Sequence, residues 1–181
     1  LSLGEPDFDT PVHIKDAAKA ALDQGETKYT PVPGTAALRQ AVSDKFKREN
    51  DLHYAPAQIV VSTGAKQSLA NLALAMLNEG DEVVILAPFW VSYSAIVEVA
   101  GGVPITVGAG IEDDYKVSAE AIEAAITDKT KFILFSSPCN PTGSVYTKDE
   151  LAAIAKMLGK YPNVYVVADE IYLSLIHLSE P

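Results

Sequence analysis

Phe132-Ile133-Leu134-Phe135-Ser136-Ser137-Pro138-Cys139-Asn140-Pro141-Thr142-Gly143 reads as a buried strand that breaks off into a rigid turn. A continuous apolar run of this length suits a strand covered on both faces. The two prolines around Asn140 stop it, and such a segment can contain a cis bond and aim the Asn140 side chain inward. A rigid turn without further purpose explains the same residues. Apolar runs of the same kind recur at Ile59-Val60-Val61, Val83-Val84-Ile85-Leu86, Val103 to Val107 and Val164 to Val167.

Helical patterns alternate with these runs. The first starts after Asp9-Thr10-Pro11, with Thr10 as cap, Pro11 at the first helical position and an apolar stripe of Ile14, Ala17, Ala18, Ala21 and Leu22, and Gly25 ends it. A second runs from about Thr35 to Asn50, and a third follows Gly64 through Leu69, Leu72, Ala73, Met76 and Leu77; both read as amphipathic and packed. Further helical patterns near Val91 to Ala100, Ser118 to Ile126 and Lys148 to Leu158 separate most of the later strands. The order is therefore mainly βαβ, with right-handed crossovers, and the expected fold is a three-layer α/β/α sandwich around a mostly parallel sheet. No repeat, low-complexity linker or internal domain boundary stands out.

Composition narrows the function classes. The 181 residues are 48% hydrophobic with a formal charge of −10, and no Lys/Arg cluster gathers for a phosphate backbone, so nucleic acid is not an expected partner. Cys139 is the single cysteine, which excludes an intramolecular disulfide. No stretch resembles a secretory leader, and the apolar runs fall well short of the roughly 20 residues that cross a bilayer. A soluble, cytoplasmic protein is the expectation.

In an open α/β sheet, ligands sit beyond the carboxyl ends of the strands. After Val61 comes Ser62-Thr63-Gly64-Ala65-Lys66-Gln67, a small-residue turn opening a helix, whose free N–H groups suit a phosphate as well as an ordinary cap. After Leu86 comes Ala87-Pro88-Phe89-Trp90, where the single tryptophan offers a stacking face or plain packing. After Val167 comes Ala168-Asp169-Glu170-Ile171-Tyr172, a carboxylate at the mouth of an apolar strand that needs a cation or several donors; a helix cap explains it equally.

Together these segments resemble the aspartate-aminotransferase-like, class I/II members of the fold-type-I pyridoxal-phosphate enzymes, over nearly all of residues 1 to 172. Gly4-Glu5-Pro6-Asp7-Phe8 looks like the family's opening loop, and Lys28-Tyr29-Thr30-Pro31 with Gly34 like its tyrosine loop. Pro88 to Tyr93, Asn140-Pro141-Thr142-Gly143 and Asp169-Glu170-Ile171-Tyr172 complete the series, the last two being the most specific. The resemblance implies pyridoxal 5'-phosphate as cofactor and residues 1–172 as the N-terminal part of the cofactor-binding large domain. It implies that Asp169 pairs with the protonated pyridine nitrogen, so that the ring can accept electrons. Asn140 and Tyr172 would donate to the ring's 3-oxygen, and Trp90 would stack on the ring. Ala65 and Lys66 would meet the phosphate through backbone N–H groups, with the Lys66 charge adding attraction. By the same resemblance Tyr29 reaches the phosphate of a partner subunit in a homodimer, and Gly4 offers a backbone N–H near the substrate carboxylate, a site that Trp90 and Asn140 also border. No metal is implied.

The departures matter too. The family's Schiff-base lysine lies some tens of residues beyond the Asp-x-x-Tyr segment, and its carboxylate-binding arginine lies near the C-terminus. Neither has a counterpart here, since no Lys or Arg follows Asp169. Lys66 sits at the phosphate end of the expected ring and does not replace that lysine. Residues 1–181 alone are therefore expected to lack transaminase activity while the complete protein moves an amino group between an amino acid and a 2-oxo acid, in amino acid metabolism. The tail Leu173 to Pro181 resembles translated adapter DNA and is expected to be foreign, so His177 is given no role. Two other readings share the fold: a carbon–sulfur lyase or aminocyclopropane-carboxylate-synthase-like enzyme, and the effector-binding module of a transcription regulator. A dinucleotide-binding Rossmann enzyme is the weakest reading, because no Gly-x-Gly-x-x-Gly follows a strand.

Overall fold

The computed structural model describes residues 8–173, so Gly4, the opening loop before Phe8, His177 and the tail beyond Leu173 lie outside the described residues. The chain divides into two compact units, Leu1–Val61 and Ser62–Pro181.

In the first unit, helix α1 spans Val12–Asp23 and α2 spans Ala36–Asn50. Thr10 does not cap α1. Pro11 takes that place with extended backbone, ψ 141°, and its carbonyl accepts from Ile14 and Lys15. The helix closes as expected, with Gly25 N–H donating to Leu22 O and Glu26 N–H to Ala21 O, a Schellman motif. In α2, Thr35 Oγ1 caps the N–H of Leu38 at 3.3 Å, and Asp51 ends the helix in the left-handed region, where Asp is tolerated. The returning segment lies along α2: Phe46 meets Tyr54 edge-to-face at 5.9 Å, and Arg39 donates to Pro56 O at 3.1 Å. The expectation that α2 is well packed is corrected, since neither α1 nor α2 has a fully buried residue among those described. The strand expected at Ile59 to Val61 is also absent. Among the described residues of this unit no strand lies beside it, and Val61 N–H donates instead to Pro33 O at 3.0 Å while Val60 stays exposed.

The second unit holds helices α3 (Ala65–Met76), α4 (Ser92–Val99), α5 (Ala119–Ala125) and α6 (Lys148–Leu158), and strands β1 (Glu82–Ala87), β2 (Val103–Gly108), β3 (Thr130–Ser136) and β4 (Tyr165–Asp169). The strands form one sheet in the order β2-β1-β3-β4, and every pairing is parallel. Alternation along the central strands builds two cores. Val84, Leu86, Ile133 and Phe135 pack with Val117, Ile122 and the α6 residues Ile154, Met157 and Leu158. Val83, Ile85, Phe132 and Leu134 pack with Ala73, Leu77, Tyr93 and Val97 of the α3 and α4 side. Helices thus cover both faces, the three-layer α/β/α arrangement the sequence implies. Burial on both faces holds only for β1 and β3. The edge strands β2 and β4 are partly exposed, Tyr165 by 62% and Val166 by 51%, because an edge strand has a sheet neighbour on one side only.

After β1 the chain turns into α4 on one face, and after β3 it reaches α6 on the other. Adjacent strands whose connections part to opposite faces open a crevice at their carboxyl ends. Among the described residues no helix is long and apolar enough to cross a membrane.

Candidate active site

The turn after β1 carries Trp90 into the start of α4, and the turn after β3 carries Asn140. Ala87-Pro88, Ser137-Pro138 and Asn140-Pro141 are cis, the last two in the segment where the sequence anticipates a cis bond. The Asn140 loop is pinned by Cys139 Sγ donating to Pro88 O at 3.1 Å, by Cys139 N–H to Ser144 O at 2.9 Å, and by Tyr146 N–H to Ser137 Oγ at 3.0 Å.

These turns, the end of β4 and the start of α3 enclose a cavity of about 260 Å³ lined by Ala65, Trp90, Tyr93, Asn140, Asp169 and Tyr172, with Ser136 and Ile171 completing the wall. Asp169 Oδ2 accepts from the Tyr93 hydroxyl at 2.8 Å, and Oδ1 accepts the backbone N–H of Ile171 at 3.2 Å. The carboxylate therefore faces the cavity and closes a local turn; the described residues carry no helix element after β4 for it to cap. The ion pairs of the described residues lie elsewhere, so Asp169 has no cationic partner among them.

Tyr93 was not singled out by sequence reasoning. Its side chain is 1% exposed, it stacks with Phe89 at 6.1 Å, and it meets Trp90 edge-to-face at 5.8 Å. Burial, then the hydrogen bond to Asp169, push its phenol far above the ordinary range, so it stays protonated as a donor. The available signal was its place in the first turn of the helix that follows Trp90.

At the start of α3, Gly64 has φ +85°, and the N–H groups of Gln67 and Ser68 return to its carbonyl at 3.1 and 3.3 Å. The N–H groups of Ala65 and Lys66 are left without a partner among the described residues. The Lys66 side chain is not part of the cavity wall; its ammonium stands over the Trp90 ring, 4.8 Å from the centroid. Tyr29, in the first unit, is wholly exposed. Gly4 lies outside the described residues.

A larger hollow of about 460 Å³ borders Asp114, Lys116, Tyr146 and Glu150 on the α5 and α6 side. Its charges satisfy one another, with Lys116 at 2.9 Å from Glu150 and 3.6 Å from Asp114. No group of three or more His, Cys, Asp or Glu side chains is placed to hold a metal ion among the described residues.

The family described as aminotransferase class I and II matches residues 1–178. Over 176 residues the chain is 53% identical to an aspartate/prephenate aminotransferase of Cereibacter sphaeroides, covering 97% of this chain and 44% of that protein. It is 52% identical over 177 residues to an aspartate aminotransferase of Bacillus sp. strain YM-2, covering 98% and 45%. Among solved structures, aspartate aminotransferase from Thermus thermophilus with maleate is similar with a TM-score of 0.90 and 47% identity, over 93% of this chain and 44% of that one. The chain spans less than half the length of these relatives.

Proposed function

Because the chain belongs to the class I and II aminotransferase family, we propose that its strand ends cradle pyridoxal 5'-phosphate and that the full-length protein moves an amino group between an amino acid and a 2-oxo acid. The observation that carries this reading is Asp169, a carboxylate in a cavity wall whose neighbours are neutral donors and which has no cation beside it among the described residues. Such a group is suited to a positively charged ring nitrogen.

The rest of the donor set fits the same group. Asn140 and Tyr172 carry donors for an anionic ring oxygen, Trp90 offers a flat apolar face, and the unpaired N–H groups of Ala65 and Lys66 open a helix whose dipole favours a phosphate. When bound, pyridoxal phosphate supplies an electron sink for charge developing at the substrate carbon. Asp169 holds the ring's positive charge, Asn140 and Tyr172 hold its oxygen, and Trp90 fixes its plane. Within the same proposal, residues 1–172 are the N-terminal part of the cofactor-binding domain, Gly4 binds the substrate carboxylate through its N–H, and Tyr29 reaches the phosphate site of a second subunit in a cytoplasmic homodimer. The lysine that bonds covalently to the cofactor is assigned to none of residues 1–181.

The relatives are named for aspartate, which is accordingly the proposed amino donor. The full-length protein given aspartate, a 2-oxo acid and pyridoxal 5'-phosphate should transaminate, and Asp169→Ala should lower kcat on the order of 100-fold or more. Elimination products in place of transamination, or unchanged turnover in Asp169→Ala, would refute the reading.

A further inference from the structure

We propose that Tyr93 is the positioning residue of this site, locking the Asp169 carboxylate to the wall that carries Trp90 and holding it as an acceptor open to the cavity. The inference rests on the reading of this cavity as the pyridoxal-phosphate site and adds to it a residue with no assigned role.

The geometry fixes the direction of the interaction. An ionised carboxylate only accepts, so the phenol is the donor in the 2.8 Å contact with Oδ2. Because the opposite oxygen is held by the Ile171 N–H, the carboxylate is gripped at both oxygens and cannot rotate freely. Because the phenol keeps its proton, it gives this carboxylate a fixed donor on the wall side. A ring nitrogen facing Asp169 would then meet a carboxylate held in one orientation.

Tyr93 also reports the position of Asp169 to the other wall. Its ring is buried against Phe89 and meets Trp90 at an interplanar angle of 90°. Trp90 and Tyr93 share the start of α4, while Asp169 ends β4, so the phenol bridges two elements far apart in sequence. One side chain thus sets both the height of the stacking face and the direction of the carboxylate. Phenylalanine at this position would keep the packing and remove only the donor.

The test is a double-mutant cycle in the full-length protein with Tyr93→Phe, Asp169→Asn and the pair, reading pyridoxal 5'-phosphate affinity and the absorption maximum of the bound cofactor. Tyr93→Phe should weaken affinity about tenfold and displace the absorption maximum in the same direction as Asp169→Asn. In the Asp169→Asn background the Tyr93 change should cost less than about twofold. Equal losses in both backgrounds would make Tyr93 a packing residue and overturn the proposal, as would an unchanged affinity in Tyr93→Phe alone. If Asp169→Asn by itself leaves affinity and spectrum unchanged, the reading of the cavity fails and takes this proposal with it; a loss there without any effect of Tyr93→Phe overturns the Tyr93 role only.

Discussion

The Lys66 ammonium lies over the indole of Trp90, 4.8 Å from its centroid. A cation so placed is attracted by the ring's electron-rich face, and it is directed at the indole, leaving only the backbone of Lys66 at the helix start. Side-chain and backbone contributions of this turn can therefore be separated.

Lys66→Met keeps the backbone N–H, and pyridoxal 5'-phosphate affinity of the full-length protein should change by less than about threefold, since the phosphate contact is a main-chain one. Ala65→Pro deletes one of the two unpaired N–H groups at the helix position where proline is best accepted, and it should weaken affinity about tenfold. Equilibrium titration of the cofactor measures both. A large loss in Lys66→Met with none in Ala65→Pro would reverse the assignment.

Gly64 and Gly34 both sit at positive φ, +85° and +97°, yet for different reasons. A Cβ on Gly64 meets nothing within 4 Å, so Gly64→Ala carries the conformational cost alone, about 1–3 kcal/mol for a backbone at φ 85° and ψ 158°. A Cβ on Gly34 would stand 2.8 Å from the Val61 side chain, and Gly34→Ala should destabilise further. Urea unfolding of the two variants should rank Gly34→Ala as the worse; the opposite order would contradict the turn geometry.

Glu150 closes the capping box of α6, accepting the Thr147 N–H at 2.6 Å and pairing with Lys116 at 2.9 Å. The Thr147 N–H first, and then Lys116, hold its carboxyl at about 2, below its ordinary value of 4.5. A folded-state value below the unfolded one means that the stabilisation is present above the ordinary value and is lost as pH falls toward the folded one. Melting temperatures of the wild type and Glu150→Gln should therefore differ most near about pH 6 and converge toward about pH 2. A gap that stays constant down to that pH would rule out the ionised cap.

The central strands were legible because burial on both faces leaves an unbroken apolar run, as in Val83 to Leu86 and Phe132 to Phe135. The same pattern misled at Ile59 to Val61, where composition favours a strand but no backbone among the described residues completes a ladder. The stripe on α1 was legible as an amphipathic face, yet Ile14 and Leu22 remain exposed, since periodicity states which face is apolar and not what covers it. At the site, Trp90, Asn140, Asp169 and Tyr172 stood out through their positions after strands. Tyr93 did not, because a tyrosine in an amphipathic helix reads as packing until the end of β4 is seen against its hydroxyl. The Lys66 contact was equally hidden, as nothing in a helix-opening turn tells where a long flexible side chain comes to rest.

The claim on which the functional account turns is that Asp169 holds a positively charged ring nitrogen. It is tested most directly by magnetic resonance of full-length protein loaded with pyridoxal 5'-phosphate labelled at that nitrogen, in the wild type and in Asp169→Asn. The account predicts a protonated nitrogen in the wild type at neutral pH and a neutral one in the variant. A neutral nitrogen in the wild type, or the same shift in both proteins, would contradict it.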